Sequence, residues 1–503
     1  MQQNLSTSEV MKYYCIYIFL PLLLACSTNI PKEFIEAKEH VSIFPDYTNL
    51  IIPANIAPLN FAITNDADEY LVSIQGKNGD KIISQRKKTI INYKKWKKLL
   101  ENNKGAYYSV TVFIKKDKKW HKFPTFINQI SGFSIDEYLS YRLIEPGYVS
   151  YGNISLRQRN ITNFDERDIF NNYISRKNDD LLCLNCHAYQ NYKTSNMQFH
   201  GRNKHGGTII VRDGKPEKID IKTEKLISGG VYPAWHPSEN LIAYSVNNTG
   251  QVFHSHNIQK VEVQDMLSDL ILYDTDKNTV SFIANDSVDL ETFPAWSPDG
   301  KTLYYSSSPY IPAYANRSKD AVLNYDKIRY NIMRKSFDIQ SRTFGEAEMV
   351  FNADSISKSA TLPRISPDGK YLLFSMGSYG TFHIWHKDSD LYLMELKTGN
   401  MRKLENVNSS DVESYHTWSS NGRWIVFSSR RDDGSFTRSY ISYFDENGRA
   451  SKPFILPQKD PYFYSGLYKS FNIPEFMTEP VNISVHEFRE AFEKDAVKAV
   501  MNE

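Results

Sequence analysis

A short hairpin motif recurs four times in this 503-residue chain and constrains the fold more than any other feature. The clearest copy runs from Pro294 to Ser307. Its residues Pro298, Asp299 and Gly300 form a turn, because Pro presets φ, Asp bonds the backbone ahead of it and Gly accepts a positive φ. The branched and aromatic residues at 303–305 suit a pleated strand, and Trp296 offers a large side chain for burial. Each copy therefore predicts a β-hairpin.

The other copies centre on Trp235, Ile365 and Trp418, and successive copies lie 61, 69 and 53 residues apart. A minimal four-stranded propeller blade needs roughly 40 to 45 residues, so each unit carries a long loop. A second strand pair follows two of the hairpins, at 269–283 and 390–404. Four strands per unit predict an all-β chain with a β-propeller over residues 132–480. A solenoid of stacked hairpins is the alternative.

The S-P-D-G hairpins resemble those of the TolB-type β-propellers, which are cell-envelope proteins of Gram-negative bacteria. The resemblance covers roughly residues 205–460. It implies a six-bladed scaffold that docks other envelope proteins and is not an enzyme. Five blades are visible in the sequence, and residues 462–471 together with 138–148 supply strands for a sixth. The N-terminal region and the segment around Cys183 depart from that family, so its partners do not carry over.

The first 26 residues have the layout of a secretory signal, with a charged start near Met11, a short apolar run and a small residue before Cys26. The ending Leu23-Leu24-Ala25-Cys26 resembles a bacterial lipobox, in which the Cys becomes the lipidated first residue. A transmembrane helix is the alternative, although the apolar run is shorter than the ~20 residues of a membrane span. We therefore expect a periplasmic lipoprotein anchored to the outer membrane, and exposure on the cell surface stays open. Residues 27–44 are predicted to be a tether.

Residues 45–131 alternate like an antiparallel sheet, which predicts a small immunoglobulin-like β-sandwich. A Lys-rich helix near Trp96 interrupts it, and a solvated helix face is its simplest interpretation. The last segment, 481–503, is predicted to be an amphipathic helix, because Ser484 and Glu487 form a capping box and Val485, Phe488 and Phe492 follow at helical spacing. The 60 basic and 58 acidic residues nearly cancel, which argues against a nucleic-acid partner.

The most specific chemical motif is Cys183-Leu184-Asn185-Cys186-His187, the C-x-x-C-H pattern of a c-type haem attachment site. Two thiols a short turn apart can form thioethers with one haem, and the adjacent His can bind the iron as its proximal ligand. Export supports this interpretation, because haem c is attached outside the cytoplasm. We expect covalent haem c at Cys183 and Cys186, on an insertion at 173–206 between the first two strands of the first blade.

Other interpretations of the same cysteines remain open. In an oxidising compartment, Cys183 and Cys186 can form a short disulfide and leave a non-redox docking protein. A zinc site is a further alternative, with the two cysteines and two of His187, His200 and His205 as ligands. A thioredoxin-like pair is weaker, because no βαβ pattern surrounds it.

The second axial ligand of the haem iron is not fixed by the sequence. Met197, His200 and His205 follow His187 within eighteen residues, and each could cover the opposite haem face. An open position would instead permit a haem peroxidase or a ligand sensor. The expected function is single-electron transfer with an envelope partner protein.

Histidines also gather in the long loops between the second and third strands of two blades. One loop carries His254 and His256, and the other carries His383 and His386. Loops of this class emerge on one propeller face, where we expect them to lie with Tyr310, Tyr314 and Arg431 as a partner surface or as channel packing. The haem segment is expected on the opposite face. The chain has no G-x-S-x-G, P-loop, H-E-x-x-H or dinucleotide motif, which argues against the corresponding enzyme classes.

Overall fold

The computed structural model describes residues 30–145, 152–173, 182–203, 206–255 and 259–502. Strands dominate throughout, and the predicted all-β class with a β-propeller is confirmed. The predicted signal segment and the predicted lipidation site Cys26 lie outside the described residues. No helix within the described part of the chain is long and apolar enough to cross a membrane.

The N-terminal module is a β-sandwich with one helix. Its strands are β1 (Ile35–Glu36), β2 (Ile43–Phe44), β3 (Ile51–Ile52), β4 (Phe61–Ile63), β5 (Glu69–Gly76), β6 (Lys81–Ser84), β7 (Lys88–Thr89), β8 (Tyr107–Lys116), β9 (Lys119–Lys122) and β10 (Phe126–Ile130). One sheet has seven strands, in the order β1-β9-β8-β10-β3, with β5 on β8 and β6 on β5; the other is β2-β4-β7. The module begins earlier than expected, because β1 and β2 lie inside the predicted tether and pair with β9 and β4.

Helix α1 (Tyr93–Asn102) covers one side of the sandwich. Asn92 caps it by accepting a hydrogen bond from the Lys95 backbone at 3.1 Å. Trp96 is buried, and its indole donates to the Ile56 carbonyl at 2.9 Å. The lysines of α1 are exposed, as the sequence predicts.

The second module contains most of the chain. Its strands are β11 (Tyr138–Ile144), β12 (Ile154–Asn160), β13 (Glu166–Asn171), β14 (Cys183–Gln190), β15 (Lys193–Arg202), β16 (Gly207–Arg212), β17 (Lys215–Asp220), β18 (Val231–Trp235), β19 (Leu241–Phe253), β20 (Val261–Asp274), β21 (Thr279–Ala284), β22 (Asp289–Trp296), β23 (Thr302–Pro309), β24 (Asn331–Asp338), β25 (Thr343–Phe351), β26 (Ser359–Ile365), β27 (Tyr371–Gly377), β28 (Asp390–Glu395), β29 (Met401–Lys403), β30 (Glu413–Trp418), β31 (Trp424–Ser429), β32 (Arg438–Tyr443), β33 (Phe454–Ile455), β34 (Ser470–Met477), β35 (Val497–Lys498) and β36 (Val500–Met501). The helices are α2 (Arg317–Leu323) and α3 (Val485–Glu493).

In the described residues these strands form six sheets with four strands each at their core. The sheets are β34-β11-β12-β13, β14-β15-β16-β17, β18-β19-β20-β21, β22-β23-β24-β25, β26-β27-β28-β29 and β30-β31-β32-β33. The first strand of each sheet in this list contacts the first strand of the next, and β30 of the last sheet contacts β34 of the first. These six innermost strands therefore form a closed ring around a central channel.

The ring closes through β34, which comes from the end of the chain and pairs with β11 from near the start of the propeller. Leu139 lies opposite Phe476, and Leu143 opposite Phe471. This pairing combines the two segments from which the sequence predicted a further blade. After β34, β35 and β36 add parallel edge strands to β17 and β21.

The repeated hairpin joins the first two strands of a blade. In the copy at Trp296, the Gly300 backbone donates to the Ser297 carbonyl at 2.9 Å, and Gly300 has φ 71°. Trp296 is buried beside Phe337, with ring centroids 5.1 Å apart. The motif thus supplies both the turn and an aromatic contact inside the blade.

Helix α3 packs on the outer part of the propeller. The predicted capping box is present, since the Glu487 backbone donates to the Ser484 hydroxyl at 3.2 Å and the Glu487 carboxylate accepts from the Ser484 backbone at 2.8 Å. Phe488 and Phe492 are buried against Phe170 and Phe199.

The expected insertion at 173–206 is wrong in its described part. Residues 183–190 form β14, the innermost strand of its own sheet, and residues 193–202 form the adjacent strand β15. The segment near Ile154 belongs to the preceding sheet, not to the one that continues at Met197. The sequence predicted that the strand near Ile154 and the strand at Met197 belong to one blade. The structure puts them in two successive blades.

Candidate functional site

Each innermost strand has a bulge with one residue in the left-handed conformation. The ladder register shifts at this point in all six strands. The left-handed residues are Cys186 (φ 53°), Tyr232 (49°), Phe293 (54°), Leu362 (57°), Tyr415 (45°) and Ile473 (54°). Few non-glycine residues adopt this conformation, so its recurrence marks a structural feature of the fold. Cys186 is the member of this set on β14.

The bulge in β14 accounts for the presence of both cysteines of the C-x-x-C-H motif at one cavity. In a regular strand, residues three apart face opposite sides. The register of β14 shifts between Asn185 and Ala188, and Cys183 and Cys186 both line one cavity. The two thiols are not bonded to each other, and the Asn185 amide donates to the Cys183 sulfur at 3.1 Å.

This cavity, hereafter the thiol cavity, lies at one end of the central channel and has a volume of about 930 Å³. It is wide enough for a large cofactor, since ligand cavities commonly span roughly 300–1,000 Å³. Its lining combines basic and aromatic side chains, including Arg142, Arg202, Arg430, Tyr232, Tyr415 and Trp385. The guanidinium of Arg430 lies 4.2 Å from the centre of the Trp385 ring. The thiol pair thus faces a positively charged cavity with aromatic walls.

His187 does not line the thiol cavity. It is 3% exposed and lies next to β34, where its ring is hydrogen-bonded to the backbone of Ile473. Burial, followed by the nearby charge of Arg142, lowers the pKa of His187 to about 3, so the imidazole is neutral at neutral pH. Its Nε2 is buried without a hydrogen-bond partner among the described residues.

His416 occupies the matching position on β30, directly after the left-handed residue Tyr415. It is also 3% exposed, and its Nε2 lies 3.2 Å from the Leu373 carbonyl. Like the ring of His187 at Ile473, the ring of His416 lies next to the backbone of the left-handed residue on the preceding blade, here Leu362. This shared contact indicates that His187 joins two blades in the present arrangement.

His200 lies on β15, directly opposite Asn185 and therefore between the two cysteines. It lines the thiol cavity, and its Nδ1 is 2.9 Å from the hydroxyl of Thr208. Burial is the main cause that lowers its pKa to about 3, with Arg202 as a second cause. A neutral imidazole with one nitrogen held by a polar partner is typical of a metal-ligating histidine.

The remaining candidates for an axial ligand are placed differently. Met197 is fully buried in the apolar core between β14–β16 and α3, and it does not line the thiol cavity. His205 lies outside the described residues. Across the described residues, no group of three or more His, Cys, Asp and Glu side chains is arranged to hold a metal ion, so the zinc alternative has no preformed site there.

The loop histidines His383 and His386 form polar contacts outside the thiol cavity. His383 Nδ1 lies 3.0 Å from the Thr361 hydroxyl, and His386 Nε2 lies 3.2 Å from the Glu262 carboxylate. Between these two residues, Ile384 and Trp385 line the thiol cavity. The cysteines and this loop therefore share one end of the channel, and the expected placement on opposite faces is wrong. His256 is outside the described residues.

Three other residues expected in the same surface also have local partners. Arg431 donates to Glu413 at 2.8 Å, and Tyr310 donates to Asp320. Tyr314 is exposed next to Lys319. None of the three lines the thiol cavity.

A short repeat in the sequence could have predicted that the cysteines lie on an innermost strand. In each innermost strand, the left-handed residue begins a four-residue stretch that ends in an apolar or aromatic residue. These stretches are Cys186-His187-Ala188-Tyr189, Tyr232-Pro-Ala-Trp, Phe293-Pro-Ala-Trp, Leu362-Pro-Arg-Ile, Tyr415-His-Thr-Trp and Ile473-Pro-Glu-Phe. Aligning the repeats over these four residues identifies the motif as part of an innermost strand. The cavity-lining residues Arg142 and Trp385 carry no such signal.

No family model and no curated protein matches the chain. Similar solved structures include an oligogalacturonate lyase in complex with manganese, with 13% identity and a TM-score of 0.35 over 63% of this chain and 73% of the lyase. A Mycobacterium tuberculosis puromycin-hydrolyzing peptidase matches with 9% identity and a TM-score of 0.36, over 61% of this chain and 45% of the peptidase. An ACO/RPE65 chimera matches with 12% identity and a TM-score of 0.37, over 87% of this chain and 97% of the chimera. The chain thus spans less than half of the peptidase.

Proposed function

We propose that this protein is an envelope β-propeller that carries one covalent haem c and passes single electrons to or from a partner protein. The observation that carries the proposal is that Cys183 and Cys186 both line the thiol cavity. A regular strand would turn one of them away, and the bulge at Cys186 prevents this. Haem c supplies the reversible one-electron chemistry once it is bound.

The residues around the thiols are suited to hold this group. Cys183 and Cys186 would provide the two thioether links. Arg142 is well placed for an acidic substituent, because its Nε is buried without a hydrogen-bond partner among the described residues and its side chain lines the cavity. Aromatic side chains in the wall would limit the contact of a bound haem with water, which is a means of tuning a redox potential.

The iron ligand that this arrangement favours is His200, although the C-x-x-C-H pattern points to His187. His200 lines the cavity, whereas His187 is buried between blades in the same way as His416. Thr208 holds Nδ1 of His200, which leaves Nε2 as the nitrogen available for iron. Met197 would need to leave the apolar core to reach the cavity.

The cellular setting is part of the proposal. A signal segment and lipidation at Cys26 would place the propeller outside the cytoplasm, tethered to the outer membrane, where haem c is attached. The partner would be another envelope protein, because it would have to lie in the same compartment.

Production of the protein with and without a haem-maturation system tests the attachment. We expect matured protein to gain the mass of one haem and to give a pyridine haemochrome spectrum, and a Cys183→Ser, Cys186→Ser variant to gain neither. Colourless protein after correct maturation would refute the proposal and favour a docking protein with a Cys183–Cys186 disulfide.

The iron ligand is tested on matured protein by absorption and electron paramagnetic resonance spectra. His200→Ala is expected to change the spin state, and His187→Gln is expected to leave it unchanged while lowering the melting temperature. His416→Gln is the matched control, since His416 has the same position on another blade. A high-spin spectrum of the wild-type protein would mean that the iron has only one axial ligand, and it would favour a peroxidase or ligand sensor. Loss of the low-spin signal in His187→Gln alone would assign the ligand to His187.

A further inference from the structure

A second cavity of about 540 Å³ lies in the channel, lined by the other ends of the innermost strands. It is hereafter called the turn cavity, because Pro237, Pro298 and Pro367 of the repeated turns line it. None of its lining residues belongs to the thiol cavity. It is therefore a separate site.

The wall of the turn cavity is formed by one residue from each innermost strand, two positions after the left-handed residue. In ring order these residues are Ala188, Ala234, Ala295, Arg364, Thr417 and Glu475. Three successive strands thus contribute only a methyl group, which leaves open space on that half of the channel. In the other half, Arg364 contributes a cation and Glu475 contributes an anion. The strand that carries Thr417 lies between their two strands.

Arg364 and Glu475 face this space without pairing with each other. No ion pair joins them in the described part of the chain, and the guanidinium of Arg364 has a contact of 3.4 Å with the carbonyl of Pro363. Burial raises the pKa of Glu475 to about 7, an effect that the charge of Arg364 opposes. Two opposite charges in a channel of low dielectric are poorly compensated when they are apart. A ligand that bridges them would compensate both.

The turn cavity also has an aromatic wall. Trp296 and Trp418 each donate their indole N–H to a carbonyl of the preceding blade, of Ala234 at 3.1 Å and of Arg364 at 3.2 Å. Trp235 has the equivalent place in its blade and is 6% exposed, yet its Nε1 has no partner among the described residues. Trp235 lines the turn cavity. The indole rings of Trp235 and Trp296 thus add aromatic surface to the half of the cavity that the alanines line.

The geometry points to a binding site for a free α-amino acid with an apolar side chain in the turn cavity. Its carboxylate pairs with Arg364, and its ammonium group pairs with Glu475. Its side chain occupies the half of the channel lined by alanines and by Trp235 and Trp296. Arg suits a carboxylate because its planar donors can form two parallel hydrogen bonds. This inference is independent of the proposed haem and of the thiol cavity.

Isothermal titration calorimetry with leucine, leucinamide and N-acetylleucine separates the two charged contacts. Leucinamide lacks the carboxylate, and N-acetylleucine lacks the ammonium group. Hydrogen bonds to charged groups are strong, so leucine is expected to bind about tenfold or more tightly than either derivative. Equal affinities for the three compounds, or no measurable binding of leucine, would overturn the assignment.

Two variants test which residue contacts which group. In Arg364→Gln, leucine and leucinamide are expected to bind equally, while the difference between leucine and N-acetylleucine persists. In Glu475→Gln, the reverse pattern is expected. Arg202→Gln in the thiol cavity is the matched control and should leave all three affinities unchanged. If Arg364→Gln weakens the three compounds by the same factor, the residue supports the fold only and the carboxylate contact is wrong.

Discussion

Replacing His416 by Gln tests whether the histidines that follow the bulges act as neutral links between blades. The pKa of His416 is lowered to about 3, first by burial and then by the charge of Arg364. In the unfolded chain, a histidine binds its proton near a pH of about 6.5. Between about pH 6.5 and about pH 3, the unfolded state therefore binds more protons than the folded state, and stability falls as the pH decreases.

The size of the effect follows from these two pKa values. At pH 5, which is about 1.5 units below the unfolded pKa, the folded state loses about 2 kcal/mol relative to pH 7 through His416 alone. Glutamine does not titrate, and its amide can still donate to the Leu373 carbonyl, the partner of His416 Nε2. We expect the free energy of unfolding of the wild-type protein, relative to His416→Gln, to decrease by about 2 kcal/mol from pH 7 to pH 5.

Guanidinium unfolding at both pH values, followed by tryptophan fluorescence, measures this difference. His187 has the same burial and also a pKa of about 3, so His187→Gln should show a shift of the same sign and similar size. Parallel pH dependence of the wild-type protein and His416→Gln would refute the reasoning, because it would mean that His416 is protonated equally in the folded and unfolded states.

Further experiments test the packing of α3, the cap of this helix, a strained turn and the turn cavity. Phe488→Ala should cost about 3–5 kcal/mol in chemical unfolding, because Phe488 is fully buried with its ring 5.1 Å from that of Phe199. Ser484→Ala should lower stability by about 1 kcal/mol through loss of the capping box on α3, with no change expected if the helix end is frayed. Lys118→Gly should raise stability by about 0.5–1 kcal/mol, since exposed Lys118 has φ 63° in a two-residue hairpin loop, and a lower melting temperature would contradict this. Leucine affinity should fall as the pH decreases below about 7, the pKa of Glu475, because a protonated carboxyl cannot pair with the ammonium group.

The repeated hairpins made the fold predictable. A motif that combines a fixed turn with one large apolar residue forms the same hairpin in each copy. Neighbouring copies must then pack against each other to bury their apolar faces. The same reasoning predicted the pairing of residues near Tyr138 with the end of the chain. It misplaced the blade boundary near Cys183, because β14 lacks the S-P-D-G turn and its repeat signal is confined to four residues.

The candidate site was predictable only in part. The C-x-x-C-H spacing singled out Cys183 and Cys186, and the structure brings both to one cavity. It also suggested His187 for the iron, although His200 faces the cavity instead. A five-residue motif fixes which groups are neighbours in the chain, but their direction depends on the bulge in β14.

The sequence alone determined the all-β class, the propeller repeat, the capped C-terminal helix and the pair of thiols, because each depends on residues close together in the chain. Tertiary structure decided which side chains share a cavity. Arg364 and Glu475 are 111 residues apart and meet only because the ring closes through β34. The pKa shifts of Glu475, His187 and His200 likewise come mainly from burial between strands that are distant in the chain.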